Sequence, residues 1–236
     1  MANNYFSFKH FTIYQYQCAF RVGTDGVLLG AAADISGAKQ ILDIGTGTGL
    51  IAVMLAQRSD AYITAIEPDH DSFVQACTNV KNSKWASRIK IVNASLQEYD
   101  PSGIKFDLIV SNPPFFSDSL RNPDMAKAAA RHNYTLNNED LLKGTERLIA
   151  EHGKFQVIMP YVEGNILIAE AQYYGLYCYK ILKIKPLPTS EIRRLILTFS
   201  RQRQKVSEKF LTIEHGKRHE FTEEYKNLTK DFYLKF

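Results

Sequence analysis

The residues able to do chemistry in this chain fall at three places. Asp43 is followed by Gly45, Gly47 and Gly49, with Thr46 and Thr48 between them. Alternating glycines let the backbone turn sharply and let a ligand lie against bare main chain. Glu67 stands 18 residues past Gly49, at the end of the apolar run 61–66. An acid at that place can accept both ribose hydroxyls of a nucleoside. The third place is Ser111-Asn112-Pro113-Pro114-Phe115-Phe116, a side-chain amide beside two rigid prolines and an aromatic ring. Alone, Asn-Pro-Pro can also be simply a turn after a strand.

These residues need elements to hold them. Ile41, Leu42 and Ile44 predict a short buried strand, and Leu50, Ile51, Val53, Met54 and Leu55 predict a helix to about Arg58. Strand, glycine turn and helix form the opening unit of a nucleotide-binding α/β fold. A second strand spans 61–66. Pro68 fits the first turn of a helix running through Phe73, Val74 and Cys77 to about Lys81. Strands at 88–92 and 106–110 follow, then a helix over 139–151 closed by Gly153, a strand over 154–159 and a helix over 164–174. Residues 178–184 and 193–200 predict a hairpin. Strands alternating with helices imply a mainly parallel sheet between two helical layers.

The glycine spacing fits one relative of this unit poorly. A dinucleotide fold wants G-x-G-x-x-G, and the place of its third glycine is Leu50. The string D-x-G-x-G-x-G instead resembles motif I of class I methyltransferases, which bind S-adenosylmethionine. That resemblance implies a Rossmann-like fold: seven strands, mostly parallel, helices on both faces and an antiparallel C-terminal hairpin. It implies a cofactor site at Asp43, Gly45, Thr46, Gly47 and Gly49, with Glu67 and Pro68 at the next strand end. The pattern also places a contact to the cofactor's adenine at 93–95, often through an acid. Here Asn93, Ala94 and Ser95 stand there, so backbone amides or the Asn93 and Ser95 side chains must serve. Thr24 and Asp25 precede a short apolar stretch, Val27 to Ala33, and either can cap a helix there, near the mouth of the cofactor site.

Asn-Pro-Pro-Phe resembles the motif of methyltransferases acting on an amino nitrogen in a planar system: adenine N6, guanine N2 or a glutamine amide. The residue types suit that chemistry. The lone pair of such an amine is delocalised, which makes it a poor nucleophile. The Asn112 side-chain oxygen and the Pro113 carbonyl can each accept one amine hydrogen and aim the lone pair at the methyl group. Pro113 and Pro114 stiffen the backbone that holds these acceptors. Phe115 can stack on the base. Asn112 also borders the cofactor. The methyl is already activated on a sulfonium, so no metal or strong base is required, and positioning supplies much of the acceleration. His132 as a general base is a minor alternative.

Composition bounds the class. A chain of 236 residues suffices for one α/β domain with a full core. With 45% hydrophobic and 23% charged residues, the chain is a soluble globular type. A net charge of +4 permits an anionic partner without demanding one. Cys18, Cys77 and Cys178 show neither metal nor redox spacing, which favours structural thiols in a reduced compartment. The stretch MANNYFSFKHF lacks a signal-peptide core, and no apolar run approaches a membrane span. A cytoplasmic protein without membrane or metal partners is expected, and a monomer is favoured.

Four stretches flank the core. Residues 1–20 carry seven aromatics and suit a short hairpin or an arm, packed over the fold or touching substrate. The connection 117–138 is long and basic (Arg121, Lys127, Arg131, His132), with a short helix expected at 125–131. Such a connection reads as a substrate flap. Lys180, Lys183, Lys185, Arg193, Arg194, Arg201, Arg203 and Lys205 gather on the hairpin and after it, as a solvated face or as a nucleic-acid patch. The tail 221–236 suits a short docked helix.

Together, F-x-F-K-x-F-x-I-x-Q near the N-terminus, V-G-T-D-G-V-L-L-G, D-I-G-T-G-T-G, N-P-P-F-F and the ending E-Y-x-x-L-T-x-D-F-Y-L-K-F resemble one family over nearly the whole chain. It is the bacterial adenine-N6 methyltransferases that modify valine tRNA beside the anticodon. The resemblance implies methyl transfer from S-adenosylmethionine to adenine N6, with the tRNA anticodon stem-loop as partner. Modification of rRNA or DNA bases, or of a protein glutamine amide, and a non-catalytic nucleic-acid binder are the alternatives. Intact Asp43, Glu67 and Asn112 speak against the last.

Overall fold

The structure, a computed structural model, describes residues 3–18, 20–114 and 136–235. Phe115, His132 and the expected flap as far as residue 135 lie outside the described residues.

The first regular pair is a hairpin, β1 (Tyr5–Ser7) against β2 (Thr12–Tyr14). Helix α1 (Thr24–Ala32) leads into β3 (Gln40–Ile44), and α2 (Leu50–Arg58) returns to β4 (Tyr62–Ile66). Then come α3 (His70–Lys81), β5 (Ile89–Val92) and β6 (Phe106–Ser111). After the undescribed stretch come α4 (Asn138–Leu148), β7 (Ile149–Pro160), α5 (Tyr161–Ala171), β8 (Tyr177–Lys185), β9 (Arg194–Ser200), β10 (Ser207–Thr212) and α6 (Glu223–Thr229). Eight strands form one sheet in the order β10-β8-β9-β7-β6-β3-β4-β5. The run from β7 to β5 is parallel, and β9 is antiparallel to both its neighbours.

Period-two alternation sends neighbouring side chains to opposite faces. Ile41, Leu108 and Val110 join a core beneath α1 and α2. Leu42, Ile109 and Phe106 join a second core beneath α4 and α5. The hairpin seals the first of these. Phe8 stacks on Phe11 at 4.6 Å and lies 6.0 Å from Tyr233 of the tail, and the Lys9 amide donates to Phe232 O at 2.8 Å. Both the hairpin and the tail therefore belong to the fold.

Three expectations change. The sheet has eight strands rather than seven, because the C-terminal extension adds β10 beside β8, in parallel. The helix expected to reach Glu151 ends at Leu148, because buried Ile149 pairs with Phe106 and starts β7. Gly153 is a strand residue instead of a helix stop, and a Cβ there would meet Phe106 O at 2.7 Å. Third, α1 begins at Thr24 and is capped by Gly23 without a side-chain bond, since Asp25 is engaged elsewhere. The tail helix forms as expected.

Candidate active site

The glycine loop, Glu67, residues 93–95 and Asn112-Pro113-Pro114 lie at one edge of the sheet, where β3, β4, β5 and β6 end. Gly45, Gly47 and Gly49 have φ of +69°, +55° and +80°, the left-handed region that favours glycine. The amides of Gly45 and Thr46 both donate to Ile66 O, at 3.0 and 3.1 Å, which folds the loop onto the end of β4. Gly49 then caps α2 and packs on Ala76 of α3. A Cβ at Gly45 or Gly47 would meet nothing within 4 Å, so the loop borders open space on its bare side. That is the cradle a nucleoside ligand needs.

Two carboxylates stand behind the loop. Asp43 is fully buried. Its Oδ2 accepts the Thr46 hydroxyl at 2.5 Å, while Oδ1 has no hydrogen-bond partner among the described residues. Burial pushes its carboxyl up to about 7; the Thr46 hydroxyl and, less, the Ala52 amide oppose this, and the Glu67 charge adds to it. Glu67 lies where the ribose contact is expected, 7% exposed. Its Oε2 accepts the Gly47 amide at 2.8 Å and its Oε1 the Asp69 amide at 3.0 Å. The same carboxylate thus sets the loop's shape and ties it to the turn after β4. Pro68 follows, and the Asp69 side chain caps α3 through the Ser72 amide at 2.9 Å.

At the end of β5, Asn93 Nδ2 donates to Glu67 O at 2.7 Å and to Pro68 O at 3.1 Å, tying this turn to the β4 turn. Ala94 is half-buried. Ser95 is buried and spends its hydroxyl on Glu98 Oε2 at 2.7 Å. The Asn93 Nδ2 and the Ser95 hydroxyl are therefore engaged by the fold, while Asn93 is exposed and its Oδ1 lies 3.5 Å from His70 Nδ1.

Beside the loop, the buried Ser111 hydroxyl donates to Ile44 O at 3.0 Å and locks the end of β6 to the end of β3. Asn112 follows, half-buried, then buried Pro113 and exposed Pro114. Gly26 of α1 makes room here. A Cβ on it would come within 3.2 Å of Leu50 and 3.9 Å of Asn112 Nδ2. Thr24 and Asp25 occupy the first turn of α1, on this side of the sheet. The Asp25 carboxylate accepts Arg194 Nε at 2.8 Å, which joins α1 to β9.

The sheet's register divides the expected basic group. Arg194 pairs with Pro160 and with Ile184, so Arg193, Arg194 and Lys185 stand at the Asn112 edge. Ser200 pairs with Tyr177, which places Arg201 and Arg203 at the opposite edge. There Arg201 bonds Glu146, and Arg203 lies 4.5 Å from the centre of the Tyr177 ring. One functional candidate went unread in the sequence. Asn79, inside α3, is 1% exposed and bonds the glycine loop. Its signal was an amide on the same helix face as Ala76 and Val80, where a poor helix former has no local use.

A parallel sheet with this loop, this acid and Asn-Pro-Pro at three adjacent strand ends defines a class I methyltransferase. Residues 23–159 match the family described as Methyltransferase small domain. Among solved structures, a predicted O-methyltransferase from Agrobacterium tumefaciens shares the fold, with a TM-score of 0.66 at 20% identity over 88% of this chain and 96% of that one. Full-length relatives are closer. A tRNA1(Val) (adenine(37)-N6)-methyltransferase of Trichodesmium erythraeum is 45% identical, covering 100% of both chains. The enzyme of the same description from Bacteroides thetaiotaomicron is 46% identical over 99% of each. The chain belongs to the tRNA1(Val) (adenine(37)-N6)-methyltransferase family.

Proposed function

We propose that this protein transfers a methyl group from S-adenosylmethionine to the exocyclic N6 of the adenine next to the anticodon of a valine tRNA. The observation that carries this reading is the lock between Ser111 and Ile44, which holds the end of β6 beside the start of the glycine loop. Full-length relatives of one description support the substrate.

The donor set fits a nucleoside with a charged amino-acid end. The loop from Gly45 to Gly49 would take its amino-acid end, and Glu67 its ribose hydroxyls. When bound, the cofactor supplies an electrophilic methyl on a positive sulfur. The chain's part is to place the acceptor. An adenine in a stacked loop cannot reach this edge, so it turns out of the stack. The Asn112 Oδ1 and the Pro113 carbonyl accept the two amine hydrogens, hold the nitrogen, and free its lone pair to point at the loop. As the bond to nitrogen forms and the methyl–sulfur bond breaks, leaving a neutral thioether, the nitrogen becomes positive and its hydrogen bonds to these acceptors tighten, so they stabilise the transition state more than the ground state; one of the two protons is then lost to water. Phe115 is proposed to stack on the ring.

Incubation with labelled cofactor and, separately, tRNA, rRNA, DNA and a protein bearing an exposed glutamine amide tests the substrate. Label in N6-methyladenine of tRNA alone is the expected result. Label in another acceptor would transfer the same chemistry to that substrate.

A further inference from the structure

The segment between the N-terminal hairpin and α1 takes no part in the chemistry above, yet two buried side-chain amides of α3 hold it: Asn79 joins Tyr14, the hairpin residue from which the segment leaves, to the glycine loop, and Gln75 bonds Gln17. Asn79 Nδ2 donates to Thr48 O at 2.8 Å and to Tyr14 O at 2.8 Å, and its Oδ1 accepts the Tyr14 amide at 2.9 Å. One side chain thus holds both backbone groups of the last β2 residue and a carbonyl inside the loop. One turn earlier on α3, Gln75 is fully buried, and its Oε1 accepts the Gln17 amide at 3.4 Å. Its Nε2 has no partner among the described residues. Gln15, also buried, donates to Asn3 O at 2.9 Å and accepts the Val22 amide at 2.8 Å. These bonds gather the described residues of 15–22 into a strap that leads from α3 to the cap of α1 at Gly23. Cys18 lies on it, beside Ser72 of α3. Burial pushes its thiol up to about 12, and the charges of Glu67, Asp69 and Asp71 add to the rise. The strap therefore passes the acidic end of β4.

The anchoring of the hairpin does not require Asn79. Phe8, Phe11 and Ile13 already bury it against the first core. A buried amide in the middle of a helix is a poor choice for packing alone, and an apolar residue would serve there at less desolvation. What Asn79 adds is registration of Tyr14, where the strap leaves the hairpin, against the loop.

We propose that the strap is the outer wall of the cofactor pocket and that Asn79 is a positioning residue that sets strap and glycine loop in one arrangement. The proposal rests on the methyltransferase reading of the site. Without Asn79 the hairpin stays docked, the Thr48 carbonyl loses its donor, and the pocket must be ordered by the cofactor at its own expense. Affinity for the cofactor then falls while the chemical step, set by Asn112, stands.

The test combines calorimetry, kinetics and amide hydrogen exchange. Asn79→Ala should raise the S-adenosylmethionine Kd and KM about tenfold, the loss of roughly one net hydrogen bond, with kcat at saturating cofactor within about twofold of wild type. Asn79→Asp keeps an acceptor for the Tyr14 amide but removes both donors, and should show the same split. In the wild type, added cofactor should slow exchange of the strap amides, a measurement that needs no variant to fold. An unchanged Kd in either folded variant, a fall in kcat without a rise in KM, or strap amides indifferent to cofactor would overturn the proposal. A wild type that binds no S-adenosylmethionine would instead overturn the methyltransferase reading itself.

Discussion

The two edges of the sheet have opposite chemical character. At the edge where β3, β4 and β6 end, the chain offers amides and room: helices start there, on Gly23, Gly49 and Asp69, and Gly45 and Gly47 face open space. At the other edge helices end, and arginines cover their carbonyls. Arg58 donates to Gly30 O at 2.8 Å and Ala33 O at 3.0 Å, closing α1. Arg88 donates to Ser59 O, Ala61 O and Ala56 O at 2.7, 3.0 and 2.9 Å, closing α2. Arg201 donates to Glu146 O in the last turn of α4. Cations suit the negative ends of helix dipoles, and unpaired terminal carbonyls need donors. The comparison teaches that a basic count is not an anion site. Several of the chain's arginines hold helices together, and Lys180, Lys183 and Arg194 are paired with Asp34, Glu208 and Asp25.

The largest effect should come from the functional edge. Asn112→Ala removes one amine acceptor and should cut turnover by about two orders of magnitude or more, the usual scale for deleting a hydrogen bond made in the transition state. Cofactor affinity should stay near normal, because the loop and Glu67 belong to other strands. Single-turnover methylation of an anticodon stem-loop, with parallel cofactor titration, reads both. Wild-type turnover would remove Asn112 from the mechanism.

A pair of substitutions, one at each edge, probes the contrast directly. Glu67→Ala should weaken cofactor binding by about 2 kcal/mol, the scale of a missing charged hydrogen bond. Arg88→Ala strips a donor from three carbonyls and should lower unfolding stability by about 2 kcal/mol in denaturant titration, with kcat unchanged below the transition. If Arg88→Ala lowered kcat in the folded enzyme, or calorimetry found Glu67→Ala binding normally, the division of labour between the edges would fail.

The smallest effect sharpens the same contrast. Arg193 is exposed and Lys185 half-buried at the Asn112 edge, and neither side chain has an ion-pair partner among the described residues. If they meet phosphates, replacing both with Ala should flatten the log–log dependence of tRNA affinity on salt by roughly one to two, about one for each phosphate left unneutralised. Arg203→Ala, at the far edge, should leave that slope as it is. Equal slopes for all variants would move the tRNA surface elsewhere.

What was legible in the sequence was local. Gly45, Gly47 and Gly49 announced a loop only glycine can make, Glu67 followed one strand later, and Asn112-Pro113-Pro114 stiffened a strand end. Each property belongs to a residue and its immediate neighbours, and parallel βα order then obliges these strand ends to share an edge. Gly153 misled for the same reason. After a helix it reads as a stop, and only the packing of Ile149 and the Phe106 carbonyl makes it a strand residue. Tertiary structure alone decided which cations face the site, because Arg193 and Arg201 are eight positions apart in sequence but lie at opposite ends of β9. It alone joined Asn79 to Tyr14 and Thr48, since hydrogen bonds across 65 and 31 residues leave no periodic trace in the chain. The local code specified the reacting groups, and long-range packing determined what surrounds them and holds them still.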